Sequence, residues 1–387
     1  MAPAAAAADE WSSLRGQFLL AKELLYFNAA NIAPCASAVL EAHARQLQDF
    51  QGNPAYQNRV QYKELSERVR ARVARYLHAP VEGLALTRNT SESNNLIAQG
   101  VKLKAGDEVL ITSHNHPSNM ASWQLRAAQC GARVVTAETP MGARTPGEIV
   151  DSMARLATPR TRVIAVSHFT NTTGLLYPVK ALGELAHRGG GWLHVDGAQS
   201  FGWMQLNLAE LGVDSYTGSF HKWPMGPLES GLLYVNPARL EEISPAILSV
   251  DYWSDKPGGA RKFEMLGQRD DAKLAGLEKA MEFLEGLGAA RVEARALALA
   301  TRLREKAGAL AHLELRGSGA AAVSGPVVKI HVKGREVGAV YDRLWNRHQV
   351  ACSKTDSGPM SGLRFSPHVY NSEGEVDALV DALRAEG

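Results

Sequence analysis

Apolar positions concentrate in short runs within 85–86, 108–112, 133–137, 162–167, 192–195 and 231–235. Between them lie longer stretches in which apolar and charged residues mix. Short apolar runs suit strands covered on both faces, and mixed stretches suit helices with one apolar face. The spacing predicts helices over 36–50 and 62–77, joined by a loop at 51–59 (QGNPAYQNR) containing Gly52 and Pro54. Further helices are predicted from Thr90 to Val101 and over 120–130, 148–156 and 179–187. Such alternation predicts an α/β fold, a mostly parallel sheet flanked by helices.

The pattern changes towards both ends. Trp11, Leu14, Phe18 and Leu19 lie on one face of a predicted helix within 11–25, and YFNAANIAP at 26–34 reads as a segment draped over a larger body. Residues 251–271 are irregular, with Pro257, Gly258 and Gly259. Helix-prone runs follow at 272–286 and 289–309, then a strand at 327–332, a helix at 336–348, a strand at 363–366 and a final helix at 372–385. The last opens on Ser372 with Glu373 and Glu375 in its first turn, a capping pattern. The predicted organisation is a segment at 1–25 packing with the smaller domain, a large domain at 26–265, and a linking helix with a small α+β domain at 266–387.

Composition narrows this picture only slightly. A chain of 387 residues, 45% hydrophobic and 21% charged, can bury a large core. A formal net charge of +2 gives no footprint for nucleic acid or an anionic membrane. The apolar runs are too short to span a bilayer. Cys35, Cys130 and Cys352 lie far apart, which argues against a disulfide framework or a thiolate metal site, and no metal is expected. The alanine-rich start, Met1 to Ala8, lacks the basic and apolar regions of an intact signal peptide. A cytoplasmic location is expected, with export after removal of a signal peptide as the alternative.

In parallel sheets, functional residues gather just beyond the carboxyl ends of strands. That rule selects His114 and His116, Asn171, and Asp196 and Gln199. Asp196 ends one apolar run, and Lys222 precedes another. A carboxylate and a lysine so placed are what an aldehyde cofactor with a basic ring nitrogen requires. Lys222 is predicted to hold pyridoxal 5'-phosphate (PLP) as a Schiff base, with Asp196 facing the pyridine nitrogen. Thr90 and Ser91, at a predicted helix start, offer an anion site, with simple N-capping as the alternative.

TRNTSESNN, NHPSN, SHFTNTTG, HVDGAQ and SFHKW occur in that order along the chain. Together they resemble the class V aminotransferase group of PLP fold type I, which includes cysteine desulfurases and isopenicillin N epimerase-like proteins. The resemblance implies a seven-stranded-type sheet and a homodimer with its active site at the subunit interface. It implies catalytic roles for Lys222, Asp196 and His116, the last stacked on the cofactor. Thr90, Ser91, Ser219 and His221 resemble the phosphate cradle, and Asn171 and Gln199 the partners of the ring's phenolic oxygen. Arg364 resembles the arginine that grips a substrate carboxylate, and Asn28 is assigned to the substrate with it.

Three departures modify the expectation. Residues 353–362 (SKTDSGPMSG) lack the nucleophilic cysteine that desulfurases carry there, and Cys352 precedes them in strand-like sequence. Gln268 stands where epimerase-like members have a threonine reaching the partner's phosphate. Glu229 stands where glycine is usual, and is expected either to favour a basic substrate or to pair with Arg261. The implied activity is epimerase- or aminotransferase-type chemistry at Cα of an amino acid or peptide, with PLP-dependent β-elimination (C–S lyase) as the alternative. Cysteine desulfuration and a non-catalytic binding protein rank lower. No GxGxxG or GxxxxGK[ST] turn supports a nucleotide enzyme.

Overall fold

The computed structural model describes residue 11 and residues 13–250, 252–255 and 257–387. Its strands are β1 (Leu25–Tyr26), β2 (Leu84–Thr87), β3 (Glu108–Thr112), β4 (Arg133–Ala137), β5 (Thr161–Ser167), β6 (Trp192–Asp196), β7 (Ser215–Ser219) and β8 (Gly231–Val235). They continue with β9 (Leu313–Arg316), β10 (Val328–Val332), β11 (Val350–Ala351), β12 (Ser353–Thr355) and β13 (Gly362–Phe365).

Seven strands form one sheet in the order β2-β8-β7-β6-β5-β3-β4. β3 to β7 pair in parallel, and β8 runs antiparallel to both β7 and β2. Every residue of β2, β3, β6, β7 and β8 is buried. Helices cover both faces, which is why the apolar runs are continuous rather than alternating. Because β3, β5, β6 and β7 are parallel, their carboxyl ends open on one edge of the sheet.

A second sheet, β12-β13-β10-β9, is antiparallel. Helices Ala289–Gly308, Val337–His348 and Glu373–Arg384 share a core with it, including Leu299, Leu303, Ile330, Leu344, Phe365 and Leu379. The last helix carries the expected capping box, with Ser372 Oγ accepting from Glu375 N at 3.0 Å and Glu375 Oε2 accepting from Ser372 N at 2.8 Å. β1 pairs with β11, and Asn28 bridges to Ser366, so the chain's early segment is stitched to this smaller sheet.

Several boundaries differ from the sequence reading. The loop expected at 51–59 shrinks to three residues, because helix Tyr56–Tyr76 follows closely on helix Ser37–Gly52. Asn53 makes the break compact, since its side chain accepts from Ala55 N and its carbonyl from Asn58 Nδ2. Within 11–25 the helical turn ends by Arg15. Leu19 is 76% exposed while Phe18 packs edge-on against Phe283 and Tyr370, so the single helix face was a misreading. The irregular stretch contains a helical turn at Tyr252–Asp255 and a tighter one at Gly259–Glu264. The alanine-rich start lies outside the described residues. No helix among the described residues is long and apolar enough to cross a membrane.

Burial has a consequence for acid stability. His168, His194 and His368 are enclosed, and burial pushes each imidazole from 6.5 down to about 4. Below pH 6.5 the unfolded chain protonates these three histidines while the native state leaves them neutral. Their depressed values therefore destabilise the fold as pH falls from about 6.5 to 4, at up to about 4 kcal/mol per pH unit. Urea unfolding is expected to show a steep loss of midpoint between pH 7 and 5. A midpoint constant over that range would contradict the burial assignment.

Candidate active site

Asp196 ends β6 with only 3% of its surface exposed. Its Oδ1 accepts from Ala198 N at 3.1 Å and its Oδ2 from Asn94 Nδ2 at 2.9 Å. Because the Asn94 amide donates here, its Oδ1 is left to accept, from Thr217 Oγ1 at 3.1 Å and from His194 Nε2 at 3.0 Å. That places the His194 proton on Nε2, so Ser215 Oγ, 2.8 Å away, donates to Nδ1 while accepting from Trp192 Nε1. The buried chain therefore has one direction and presents Asp196 as an acceptor. Gly197 allows the strand to leave: a Cβ there would lie 2.0 Å from Tyr216 Cζ.

β7 ends at Ser219, and Lys222 follows three residues later. A cavity of about 200 Å³ is lined by Thr90, Ser91, His116, Asp196, Ser219, His221 and Lys222, completed by Asn89, Ser118 and Ala198. Helix Thr90–Gly100 starts at its wall. Asn89, not Thr90 or Ser91, is the cap: its Oδ1 accepts from Glu92 N at 2.9 Å. The capping alternative for Thr90 and Ser91 is thereby corrected. Thr90 Oγ1 lies 2.7 Å from Ser219 Oγ, which also accepts from Thr90 N at 3.0 Å. A helix start with hydroxyls around it attracts an anion through its unpaired N–H groups and dipole.

His116 caps helix Pro117–Cys130, its Nδ1 accepting from Ser118 N at 3.2 Å. Burial lowers its pKa against the pull of Asp196, and the charges of Lys222 and Arg364 add to the lowering. His221 is pushed down to about 4 by burial and by Lys222, and its buried Nδ1 has no partner among the described residues. Burial brings Lys222 down to about 8, with Asp196 opposing and Arg364 adding to the shift. An amine with that pKa is half neutral near pH 8, as a nucleophile or base requires.

Three expected cofactor contacts are not brought to this cavity. Gln199 is buried with its amide engaged: Nε2 donates to Ala30 O at 2.7 Å, and Oε1 accepts from Trp223 Nε1 at 2.9 Å. It clamps the residue after Lys222 instead of lining the opening. Asn171 contributes its carbonyl, which accepts from Arg364 Nη1 at 3.0 Å. Gln268 is exposed and accepts from Arg59 Nη2 at 2.6 Å. His114, the weaker of the two histidines, is buried with its Nδ1 3.4 Å from Thr173 Oγ1.

Arg364 is 8% exposed and is positioned by Asn28 Oδ1 at 3.0 Å and Ser353 Oγ at 2.8 Å. It has no carboxylate partner among the described residues, and its buried Nε is unpaired. Asn28 thus meets the arginine directly. The expected Glu229–Arg261 pair does not form, because Arg261 is taken by Glu67. Glu229 is exposed, adopts φ 55°, and its carbonyl accepts from Lys273 Nζ at 2.7 Å. A left-handed backbone explains why glycine would be easier there. Asn94 and Ser353 are the site residues that sequence reading missed. Only the position of Asn94 in the helix's first turn, on the face shared with Thr90, could have flagged it.

The chain matches the model of the Aminotransferase class-V family over residues 25–379. It is 30% identical to the isopenicillin N epimerase of Amycolatopsis lactamdurans, the alignment covering 97% of this chain and 98% of that protein. It is 28% identical to a probable cysteine desulfurase of Pyrococcus abyssi, covering 96% of each. Among solved structures, the Escherichia coli cysteine desulfurase CsdA superposes with a TM-score of 0.83 at 26% identity, over 97% of this chain and 98% of that one. The cystine C–S lyase C-DES, solved with its product cysteine persulfide, gives 0.85 at 24% identity over 94% and 98%, a likeness of fold.

Proposed function

From its membership of the class V aminotransferase family, to which the chain belongs and whose members are PLP enzymes, we propose that this PLP-dependent enzyme removes or transfers the Cα proton of an amino acid or aminoacyl substrate. The observation that carries the reading is one cavity that brings Lys222 together with Asp196, His116 and the Thr90–Ser219 hydroxyl pair, in surroundings whose burial lowers the Lys222 amine to about 8. The donor set suits PLP. The unpaired His221 Nδ1 and the Thr90 and Ser219 hydroxyls match a phosphate, Asp196 a protonated ring nitrogen, and Lys222 an aldehyde. PLP, when bound, supplies the electron sink for charge developing at Cα.

The protein's own share is binding and proton handling. Arg364 grips the substrate carboxylate with its planar fork and so sets which Cα bond is broken. Lys222 accepts the Cα proton and delivers it again as general base and acid. His116, which lines the same cavity, is the residue we assign to stack on the cofactor ring. Cys352 is 3% exposed and its thiol is pushed up to about 12 by burial, so it lacks the thiolate that desulfuration needs. Gln268 enters the site only if a second copy of the chain presents it, which is the homodimer reading; exposed Tyr56, Leu228, Val250 and Trp253 supply apolar surface for such a contact.

Turnover of a panel of amino acids in D₂O tests this reading. Deuterium is expected at Cα of recovered substrate. Inverted product then identifies an epimerase, a keto acid an aminotransferase, and loss of a β-substituent a lyase. Recovered substrate without deuterium and without any keto acid, inverted or eliminated product, or a persulfide on Cys352, would overturn it.

A further inference from the structure

The smaller sheet carries a row of cations across three strands. Lys329 on β10 stands opposite Arg316 on β9 and opposite Arg364 on β13, and Ser353 on β12 stands opposite Arg364. Directly opposed residues of antiparallel neighbours project to the same face. That face meets the loop at 170–174. Arg364 donates to Asn171 O, and Gly317, just past β9, sits so close that a Cβ would lie 2.4 Å from Thr173 O.

The three cations differ in how their charge is met. Arg316 is paired with Glu314 at 3.3 Å and donates to Ser361 O at 2.8 Å. Arg364 has no carboxylate among the described residues, and the proposed grip on the substrate's α-carboxylate would supply one. Lys329 is 1% exposed, and its Nζ donates to Thr355 Oγ1 at 2.7 Å with no carboxylate in reach among the described residues. The nearby Asp356 is bound to Lys354 at 2.9 Å. Burial, then Arg364 and Arg316, push the Lys329 ammonium down to about 8, and the nearby Cys352 thiol stays neutral at neutral pH. A buried cation beside two guanidiniums is destabilising until an anion joins it.

The position is also reachable. Thr355 and Ser353 are half-exposed, and the Thr355 hydroxyl that accepts from the Lys329 ammonium therefore links it to the surface just before the 356–361 turn. The hydroxyls that hold Arg364 and Lys329 are two residues apart on β12, a separation of roughly 7 Å. We propose that Lys329 and Thr355 form a second anion subsite, which takes an acidic group at the end of the substrate's side chain, so that the preferred substrate is an amino acid or aminoacyl compound with two anionic groups. The inference rests on the reading of Arg364 as the α-carboxylate clamp.

The test uses the cofactor-loaded enzyme at pH 7, following the cofactor's absorbance during titration with glutamate, glutamine, aspartate, asparagine and alanine of both configurations. Each acid and its amide have nearly the same shape, so their affinity ratio isolates the charge. Glutamate is expected to bind at least about tenfold tighter than glutamine, as for a charge-assisted contact. Lys329→Met should bring glutamate down to the affinity of glutamine, and Thr355→Val should reduce the ratio partly. A glutamate–glutamine ratio near one in the wild type, which needs no variant, would overturn the subsite. So would a ratio that survives Lys329→Met. If no amino acid perturbs the absorbance, the failure lies with the proposed function itself, and the subsite goes with it.

Discussion

Replacing Lys222 by alanine is expected to lower turnover by at least about 10⁴-fold, because one side chain provides both the covalent anchor and the proton carrier. The purified variant should also lose the visible absorbance that the wild type acquires with PLP. A pH series supplies a second check. Only the neutral amine can attack an aldehyde, and burial brings the amine down to about 8. Since lowering the pKa enlarges the neutral fraction at a given pH, uptake of PLP by the apoenzyme should accelerate from pH 6 and level off above about 8. A rate still climbing towards pH 10 would mean that Lys222 is as solvated as a surface lysine. A variant that retained both colour and turnover would remove Lys222 from the chemistry.

The second large effect is expected at Asp196. Its two oxygens each accept a hydrogen bond, from Ala198 N and Asn94 Nδ2. In Asp196→Asn the new NH₂ must face one of these donors, so the change removes a charge and breaks a contact at once. Turnover is expected to fall by about 10³-fold, the scale for losing one preorganised electrostatic contact. The fold should survive, because the site keeps its shape and sheds a buried charge. Steady-state kinetics with circular dichroism distinguish these outcomes. A variant within tenfold of the wild type would show that Asp196 does not set the ring's protonation. A variant that fails to fold would make the carboxylate a structural group first.

The legible parts of the fold share one property: their signal is local. β3, β5 and β6 are apolar on both faces and end in polar residues, so both the sheet and its functional edge could be read from the run boundaries. Asp196 and Lys222 stood out for the same reason. β9 reads LELR and β12 reads SKT, with few apolar residues, and such strands are visible only through their partners. Gln199 follows Asp196 closely in sequence, but its amide is taken up by Ala30 and Trp223. Those partners come from 169 residues upstream and 24 residues downstream, beyond any local window.

The alternation of strands and helices from β2 to β6, the sheet's functional edge, the PLP family and the absence of a loop cysteine before Arg364 all follow from the amino-acid sequence alone. Each depends on residue types at short range or on strings of motif length. Tertiary structure decided the rest. Asn94, from one helix start, aligns Asp196 at the end of a distant strand. Asn28 and Ser353, 325 positions apart, converge on Arg364. Lys329 comes to stand between Arg316 and Arg364 only through the register of β9, β10 and β13. Hydrogen bonds and unpaired charges depend on which side chains are brought face to face, and strand register and loop docking settle that after the chain has closed on itself.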